Sequence, residues 1–144
     1  MRVLLATDGS KYSEMAASEL VRRPLPADSG VLVLSVFELP PFPFIVPGVG
    51  VSFDAQIQEK AAEAVEKAAA ILKPAEETGK LQIVTKILAG SPKRVIVEEA
   101  EAFSADLIVI GSRGLGAWDR LVLGSVSQAV ATHAKCSVLI VRGP

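Results

Sequence analysis

The chain has 144 residues, of which 50% are hydrophobic, and its 15 lysines and arginines nearly balance its 16 aspartates and glutamates. This length predicts a single domain over residues 1–144 with a core that needs no disulfide, and the lone cysteine excludes an internal one. The near-zero net charge does not favour nucleic acid, and no apolar run approaches the roughly 20 residues of a membrane span. We therefore expect a cytoplasmic protein that binds neither nucleic acid nor membrane.

The first half of the chain predicts two strands and two helices in alternation. Val3–Ala6 is a short apolar run typical of a buried strand, and Ser10 after it can cap a helix whose apolar stripe is Ala16, Ala17, Leu20 and Val21. A second apolar run spans Val31–Val36. A second helix begins near Ser52, and its apolar face is formed by Ile57, Ala61, Ala64, Val65, Ala68 and Leu72. We expect Pro74 to end or kink this helix.

The second half predicts three more strands and two more helices. Ser91 as N-cap and Pro92 at the first helical position mark the third helix, and the fourth begins at about Gly124. The three strands are Leu81–Leu88, Leu107–Ile110 and Ser137–Val141. Polar residues alternate in part with apolar ones in Leu81–Leu88, so we expect this strand nearer to a sheet edge.

This alternation predicts an α/β fold, a parallel sheet with helices on both faces. Two connections are unusually long: the proline-rich Glu38–Val51 and the glycine-bearing Gly111–Leu123. Both follow a strand, so both should lie at the carboxyl edge of the sheet, where doubly wound folds bind ligands. The sequence leaves three roles open for Glu38–Val51: it covers a ligand, contacts a partner or stays mobile.

The second of these connections leads into a helix that opens with Gly-Ser-x-Ser. The first N–H groups of a helix lack internal partners and carry a partial positive charge, so they suit phosphate oxygens. Ser125 and Ser127 add hydroxyl groups, and Arg113 lies in the loop. The alternative is that the glycines serve only turn geometry and the serines only cap the helix. The chain contains neither Gly-x4-Gly-Lys-Ser/Thr nor Gly-x-Gly-x-x-Gly after the first strand, which disfavours a Walker-type loop and a classical dinucleotide fold.

Asp8 stands at the carboxyl end of the first strand. A carboxylate there can accept hydrogen bonds from ribose hydroxyls or help to hold a divalent cation near phosphates. The alternative is that Asp8 or Ser10 caps the first helix. The two interpretations are compatible if Ser10 caps while Asp8 faces the crevice.

At this point the chain resembles the universal stress protein family over essentially its whole length. The segments that carry the resemblance are Val3–Ser10, Gly90–Pro92, Ala105–Gly114, Leu123–Ser127 and Cys136–Val141. The nucleotide-binding branch of that family is marked by Gly-x2-Gly-x9-Gly-Ser/Thr. This spacing is matched without adjustment by Gly111, Gly114, Gly124 and Ser125.

The resemblance implies a single doubly wound five-stranded parallel sheet of order 3-2-1-4-5, with ATP, ADP or AMP bound between strands 1 and 4. Asp8 would meet the ribose and phosphates, reaching an accompanying Mg²⁺ or Mn²⁺ only indirectly, and the Val36 backbone would read the adenine edge. The family commonly dimerises through its last strand, here Ser137–Val141. The residues implied in nucleotide binding are Ala6, Thr7, Asp8, Val36, Gly111, Arg113, Gly114, Gly124, Ser125, Val126 and Ser127.

The resemblance further implies a homodimeric regulatory protein of the stress response. The state of this dimer, or its choice of partner, would depend on whether ATP is bound. One alternative is slow ATP hydrolysis, for which Asp8 and Arg113 are the only convincing groups. Another is a dimeric scaffold of the same family that has lost nucleotide binding. A phosphate-accepting receiver domain is excluded because Ile87–Ala89 occupies the strand end where such domains need an aspartate.

Three other residues receive structural interpretations. His133 is expected to pack or to cap a helix end, and Cys136 to begin a buried strand as a small hydrophobic residue. Trp118, the single tryptophan, is expected to pack within the loop that spans the phosphate site.

Overall fold

Five strands alternate with four helices in a computed structural model that describes residues 1–40, 52–115 and 123–143. The predicted elements are all present, with ends that differ by a few residues. In chain order they are β1 (Arg2–Ala6), α1 (Lys11–Arg22), β2 (Ser29–Phe37), α2 (Ser52–Glu77), β3 (Leu81–Ala89), α3 (Pro92–Ala102), β4 (Leu107–Gly111), α4 (Ser125–His133) and β5 (Ser137–Val141).

The strands form one parallel sheet of order β3-β2-β1-β4-β5, which confirms the expected fold class. Leu4 of β1 pairs with Leu32 of β2 on one side and with Ile108 of β4 on the other. Because the strand order reverses between β1 and β4, their connections leave in opposite directions and open a crevice at the carboxyl edge. The edge position expected for β3 is also confirmed, and its Val84 is 58% exposed.

The alternating strand side chains divide the core into two layers. Val3 and Leu5 pack with buried residues of α1 and α2, including Leu20 and Leu72, on one face of the sheet. Leu4 belongs to the opposite layer, which includes residues of α3 and α4. Both faces of the central strands are therefore covered, which is why their sequences are almost continuously apolar.

Of the two effects expected of Pro74, an end or a kink of the second helix, the structure contradicts the first, because α2 continues to Glu77. Proline removes the N–H that would bond to the carbonyl of Ala70. Both residues lie on the exposed side of α2, where water can satisfy that carbonyl. The stripe expected for α1 also ends earlier than predicted, because Val21 is 38% exposed.

The remaining structural interpretations have mixed outcomes. His133 is exposed rather than packed, and its Nδ1 lies 2.9 Å from the carbonyl oxygen of Ala129 in the last turn of α4. Cys136 is half-buried, immediately before β5. Trp118, with the rest of residues 116–122, and the proline-rich residues 41–51 lie outside the described residues. Among the helices that are described, none is both long and apolar enough to cross a membrane.

Candidate functional site

A cavity of about 400 Å³ opens at the carboxyl edge of the sheet, between the ends of β1 and β4. Its volume falls in the range of pockets that enclose small molecules. All eleven residues singled out from the sequence line it: three at or just after the end of β1, Val36 of β2, and seven from the end of β4 to the start of α4. The sequence reasoning did not identify six further lining residues, which are Ser13, Leu34, Pro92, Ile96, Ile110 and Leu115.

Part of the cavity wall is apolar and continuous with the core beneath α3 and α4. Leu34, Ile96 and Ile110 are buried members of that core, and Val36 and Val126 pack against it. Ile96 faces the cavity from the second turn of α3. This wall can receive a flat apolar surface, while the end of β1 and the loop after β4 supply the polar groups.

Asp8 joins the end of β1 to the loop that follows β4. Its Oδ1 accepts a hydrogen bond of 2.9 Å from the N–H of Ser10, and its Oδ2 accepts one of 3.0 Å from the N–H of Leu115. Ser10 caps α1, because its hydroxyl oxygen accepts the N–H of Ser13 at 3.2 Å. The two interpretations of this segment therefore hold together: Ser10 caps the helix and Asp8 lines the crevice.

A small network of buried hydroxyls holds the first turn of α1 beside Asp8. Thr7 donates through Oγ1 to Ser13 Oγ at 3.1 Å, and Ser13 Oγ donates to the carbonyl of Ser10 at 2.9 Å. Because these hydroxyls are directed at each other and at the backbone, they fix the position of this turn. Ser13 gave no sequence signal beyond its place in the first turn of the helix.

The N-terminus of α4 faces the cavity without a side-chain cap. Its N-cap is Gly124, whose own N–H donates to the carbonyl of Ser112 at 2.6 Å. Ser127 is buried, and its hydroxyl lies 3.0 Å from the carbonyl oxygens of both Ser112 and Gly124. Of the two predicted serines, Ser125 is thus the one with an exposed side chain. The first amides of α4, those of Ser125, Val126 and Ser127, have no side-chain cap and can donate to an anion.

All three glycines of the motif are closely packed against other parts of the chain. A Cβ built on Gly111 would lie 2.7 Å from the backbone carbonyl of Tyr12, and one on Gly114 would lie 2.6 Å from Asp8 Oδ2. A Cβ on Gly124 would lie 3.1 Å from the Ser112 carbonyl oxygen. None of the three has a positive φ, so left-handed turn geometry is not what selects glycine here.

Arg113 is the basic side chain among the described residues that line the cavity. It is half-buried, and its guanidinium carbon lies 5.7 Å from the centroid of the Tyr12 ring. The wall thus carries one carboxylate, from Asp8, and one guanidinium group. Within the described parts of the chain, no cluster of three or more acidic, histidine or cysteine side chains could hold a metal ion alone.

Comparisons with known proteins agree on one family. The model of the universal stress protein family matches residues 1–142. A universal stress protein of Methanocaldococcus jannaschii is 35% identical over 144 residues, which cover 99% of this chain and 82% of that one. A crystal structure of a universal stress protein in complex with cAMP is 26% identical, with a TM-score of 0.63 and coverage of 98% of this chain and 96% of that one.

A second solved structure shares the fold at lower identity. It is a universal stress protein family protein from Arabidopsis thaliana with AMP bound, and it covers 100% of this chain and 92% of its own. Its identity is 21% and its TM-score is 0.63, so the likeness shows the fold alone.

Proposed function

The chain belongs to the universal stress protein family, and from this premise we propose that it is a regulatory protein whose cavity binds an adenine nucleotide. ATP is the proposed ligand, with ADP and AMP as alternatives for the same site. The structures of relatives that hold cAMP and AMP support this class of ligand.

The observation that carries the proposal is the uncapped N-terminus of α4 at the wall of an open cavity. Its first amides, the exposed hydroxyl of Ser125 and the guanidinium of Arg113 are the groups that phosphate oxygens prefer. They lie on the loop and helix that carry Gly-x2-Gly-x9-Gly-Ser. We therefore assign this part of the wall to the phosphates.

The remaining walls of the cavity suit the ribose and the base of the nucleotide. Each Asp8 oxygen accepts one backbone hydrogen bond and keeps further acceptor capacity, which suits a ribose hydroxyl. The apolar surface that includes Pro92 and Ile96 suits the base, whose polar edge would meet the backbone of Val36.

A divalent cation fits this site only as a companion of the phosphates. Mg²⁺ is commonly held by one or two carboxylates together with substrate phosphates and water. Asp8 is the carboxylate among the described lining residues, so it would act together with the nucleotide rather than as part of a protein cage. The ion would neutralise phosphate charge.

Occupancy, rather than rapid turnover, is the proposed signal. Hydrolysis needs a group that orients or deprotonates the attacking water. Asp8 is the one acid–base side chain among the described residues that line the cavity, so no acid–base pair is present there. An ATPase assay that found turnover at ordinary enzymatic rates, abolished by Asp8→Ala, would overturn this part of the proposal.

We also propose that two copies pair through β5. This strand is at the edge of the sheet, and Val138–Val141 are half-buried in the single chain. An edge strand offers backbone groups that another strand can pair with. Sedimentation of the full chain over a range of concentrations, with and without nucleotide, tests this; a monomer under all conditions would contradict it.

The decisive experiment removes one backbone amide from the phosphate wall. Ser125 is the first residue of α4, a position where proline is well tolerated, and Gly124 before it has the extended conformation that a following proline needs (φ −69°, ψ 156°). Ser125→Pro therefore deletes an N–H and a hydroxyl, and Ser125→Ala deletes the hydroxyl alone.

Isothermal titration with ATP, ADP, AMP and adenosine provides the readout. Because a hydrogen bond to a charged group is worth more than about 1.5 kcal/mol, Ser125→Pro should bind ATP about tenfold or more weakly than Ser125→Ala. Adenosine binding should be equal in the two variants. Absence of binding by the wild-type chain at millimolar nucleotide would overturn the proposal and favour the scaffold alternative.

A further inference from the structure

Tyr12 lies in the first turn of α1, and contacts at both its backbone and its ring hold it in place. Its carbonyl group packs so closely against Gly111 that a Cβ there would lie 2.7 Å away. Its ring packs against the segment after β5, where a Cβ on Gly143 would lie 3.2 Å from ring atom Cε1. Tyr12 is therefore fixed between the ends of β4 and β5, although it does not itself line the cavity.

Arg113 rests on this ring. Its guanidinium carbon is 5.7 Å from the ring centroid, within the distance at which a cation is attracted to an aromatic face. Among the described residues, Arg113 makes no salt bridge with a carboxylate and no side-chain hydrogen bond. The Tyr12 ring is therefore the contact that the structure shows for this guanidinium.

We infer that Tyr12 is a positioning residue for Arg113: the ring face holds the guanidinium at the cavity before a phosphate arrives. This inference rests on the proposed function and adds to it a residue outside the cavity wall. An arginine side chain has many rotamers in solution, and holding it in one place beforehand reduces the entropy lost on binding.

The aromatic face, and not the hydroxyl, performs this role. The Tyr12 hydroxyl has no hydrogen-bond partner within the described ranges of the chain, so Tyr12→Phe keeps the relevant contact. Tyr12→Leu keeps apolar volume and removes the ring. Lys11 also lies over the ring, at 5.1 Å from its centroid, but it is exposed and does not line the cavity.

The first measurement is the affinity of the full chain for ATP and for adenosine, each by titration calorimetry. Tyr12→Leu should weaken ATP binding about threefold to tenfold, the size of one cation–aromatic contact, and leave adenosine within about twofold. Tyr12→Phe should match the wild type for both ligands. In an Arg113→Gln background, Tyr12→Leu should have no further effect on ATP, because the residue acts through Arg113.

A variant of Arg113 tests the same contact without changing Tyr12, so the inference stays testable if Tyr12→Leu does not fold. Arg113→Lys keeps the positive charge but loses the planar, delocalised group that lies over the ring. It should weaken ATP binding although the charge is preserved, and it leaves Tyr12 unchanged. Binding equal to that of the wild type would contradict the inference.

The second measurement needs no nucleotide. Phenylglyoxal modifies arginine side chains, and peptide mass spectrometry reports the rate at Arg113, with the exposed Arg22 at the other end of α1 as an internal reference. The Arg113 rate should rise several-fold in Tyr12→Leu and stay at the wild-type value in Tyr12→Phe. An unchanged rate in Tyr12→Leu, or equal weakening of ATP and adenosine, would overturn the positioning role alone.

A different result would overturn the proposed function. If the wild-type chain binds neither ATP nor adenosine, nucleotide binding fails, and with it the phosphate role of the pair. A rise of the Arg113 rate in Tyr12→Leu would then still show that the ring holds the guanidinium.

Discussion

The same substitution at two glycines of one motif should lower stability by very different amounts. Gly111→Ala places a Cβ 2.7 Å from the backbone carbonyl carbon and oxygen of Tyr12, so either a strand end or a helical turn must move. Gly114→Ala places a Cβ 2.6 Å from Asp8 Oδ2, the far end of a side chain that can rotate away. The structure therefore predicts that only Gly111→Ala strongly destabilises the fold.

The magnitudes follow from the atoms involved. Forcing an extra carbon into a packed region destabilises by about 1–3 kcal/mol, and backbone cannot relax as a side chain does. At Gly114 the loss of one hydrogen bond to Asp8 is offset in part by the reduced entropy of the unfolded chain, worth about 0.4–1 kcal/mol for glycine to alanine. Neither glycine has a positive φ, so backbone strain does not add to either value.

Urea unfolding followed by circular dichroism measures both variants. With an m-value of about 2 kcal/mol per M, a loss of about 2 kcal/mol lowers the midpoint by about 1 M for Gly111→Ala. The midpoint of Gly114→Ala should stay within about half of that shift. A midpoint for Gly111→Ala equal to that of the wild type, or above that of Gly114→Ala, would refute the reasoning.

Three further predictions concern other parts of the chain. Asp8→Ala removes the acceptor of the Ser10 and Leu115 amides, so it should lower the free energy of unfolding by roughly 1–3 kcal/mol. It should also speed hydrogen exchange at the Leu115 amide, and unchanged exchange there would contradict the observed bond. Leu72→Ala, at a fully buried position, should lower the urea-derived free energy of unfolding by about 2–5 kcal/mol, whereas Leu115→Ala, at a residue 73% exposed, should change it by less than about 0.5 kcal/mol. Burial raises the pKa of the Cys136 thiol, so its alkylation by iodoacetamide should reach half its maximal rate at a higher pH than that of free cysteine, and coincident pH profiles would contradict this.

The secondary structure could be predicted from the sequence because burial on both faces leaves a strong local pattern. The apolar runs of β1 and β4 can be recognised without knowing which strands they pair with, and the partial polar alternation of Leu81–Leu88 indicated the edge position of β3. The order of the strands is a different matter. It depends on the side from which each crossover leaves the sheet, which periodicity does not encode, and it was expected through the family resemblance.

The positions of the candidate site residues were predicted better than their contacts. The carboxyl ends of parallel strands meet at one edge of the sheet, and this rule predicts that Asp8 and Arg113 lie near each other. The rule does not predict that Arg113 lies over the ring of Tyr12. Nor does it show that the Ser127 hydroxyl is directed at the backbone. Ile96 was missed as a lining residue because its sequence signal is that of any core residue on a helix.

Pro74 shows a limit of local rules. Its effect on a helix was predicted from the lost hydrogen bond, but the outcome depended on which side of α2 the affected carbonyl faces. That side is set by packing against the sheet, which becomes known only with the tertiary structure.

The bond between Asp8 and the Leu115 amide joins residues 107 positions apart in the chain. A ribosome adding about 5–20 residues per second would take roughly 5–20 s to separate their emergence. Throughout that interval the Asp8 carboxylate has been made without the Leu115 amide that it later accepts, so this part of the cavity wall can form only after Leu115 has been synthesised.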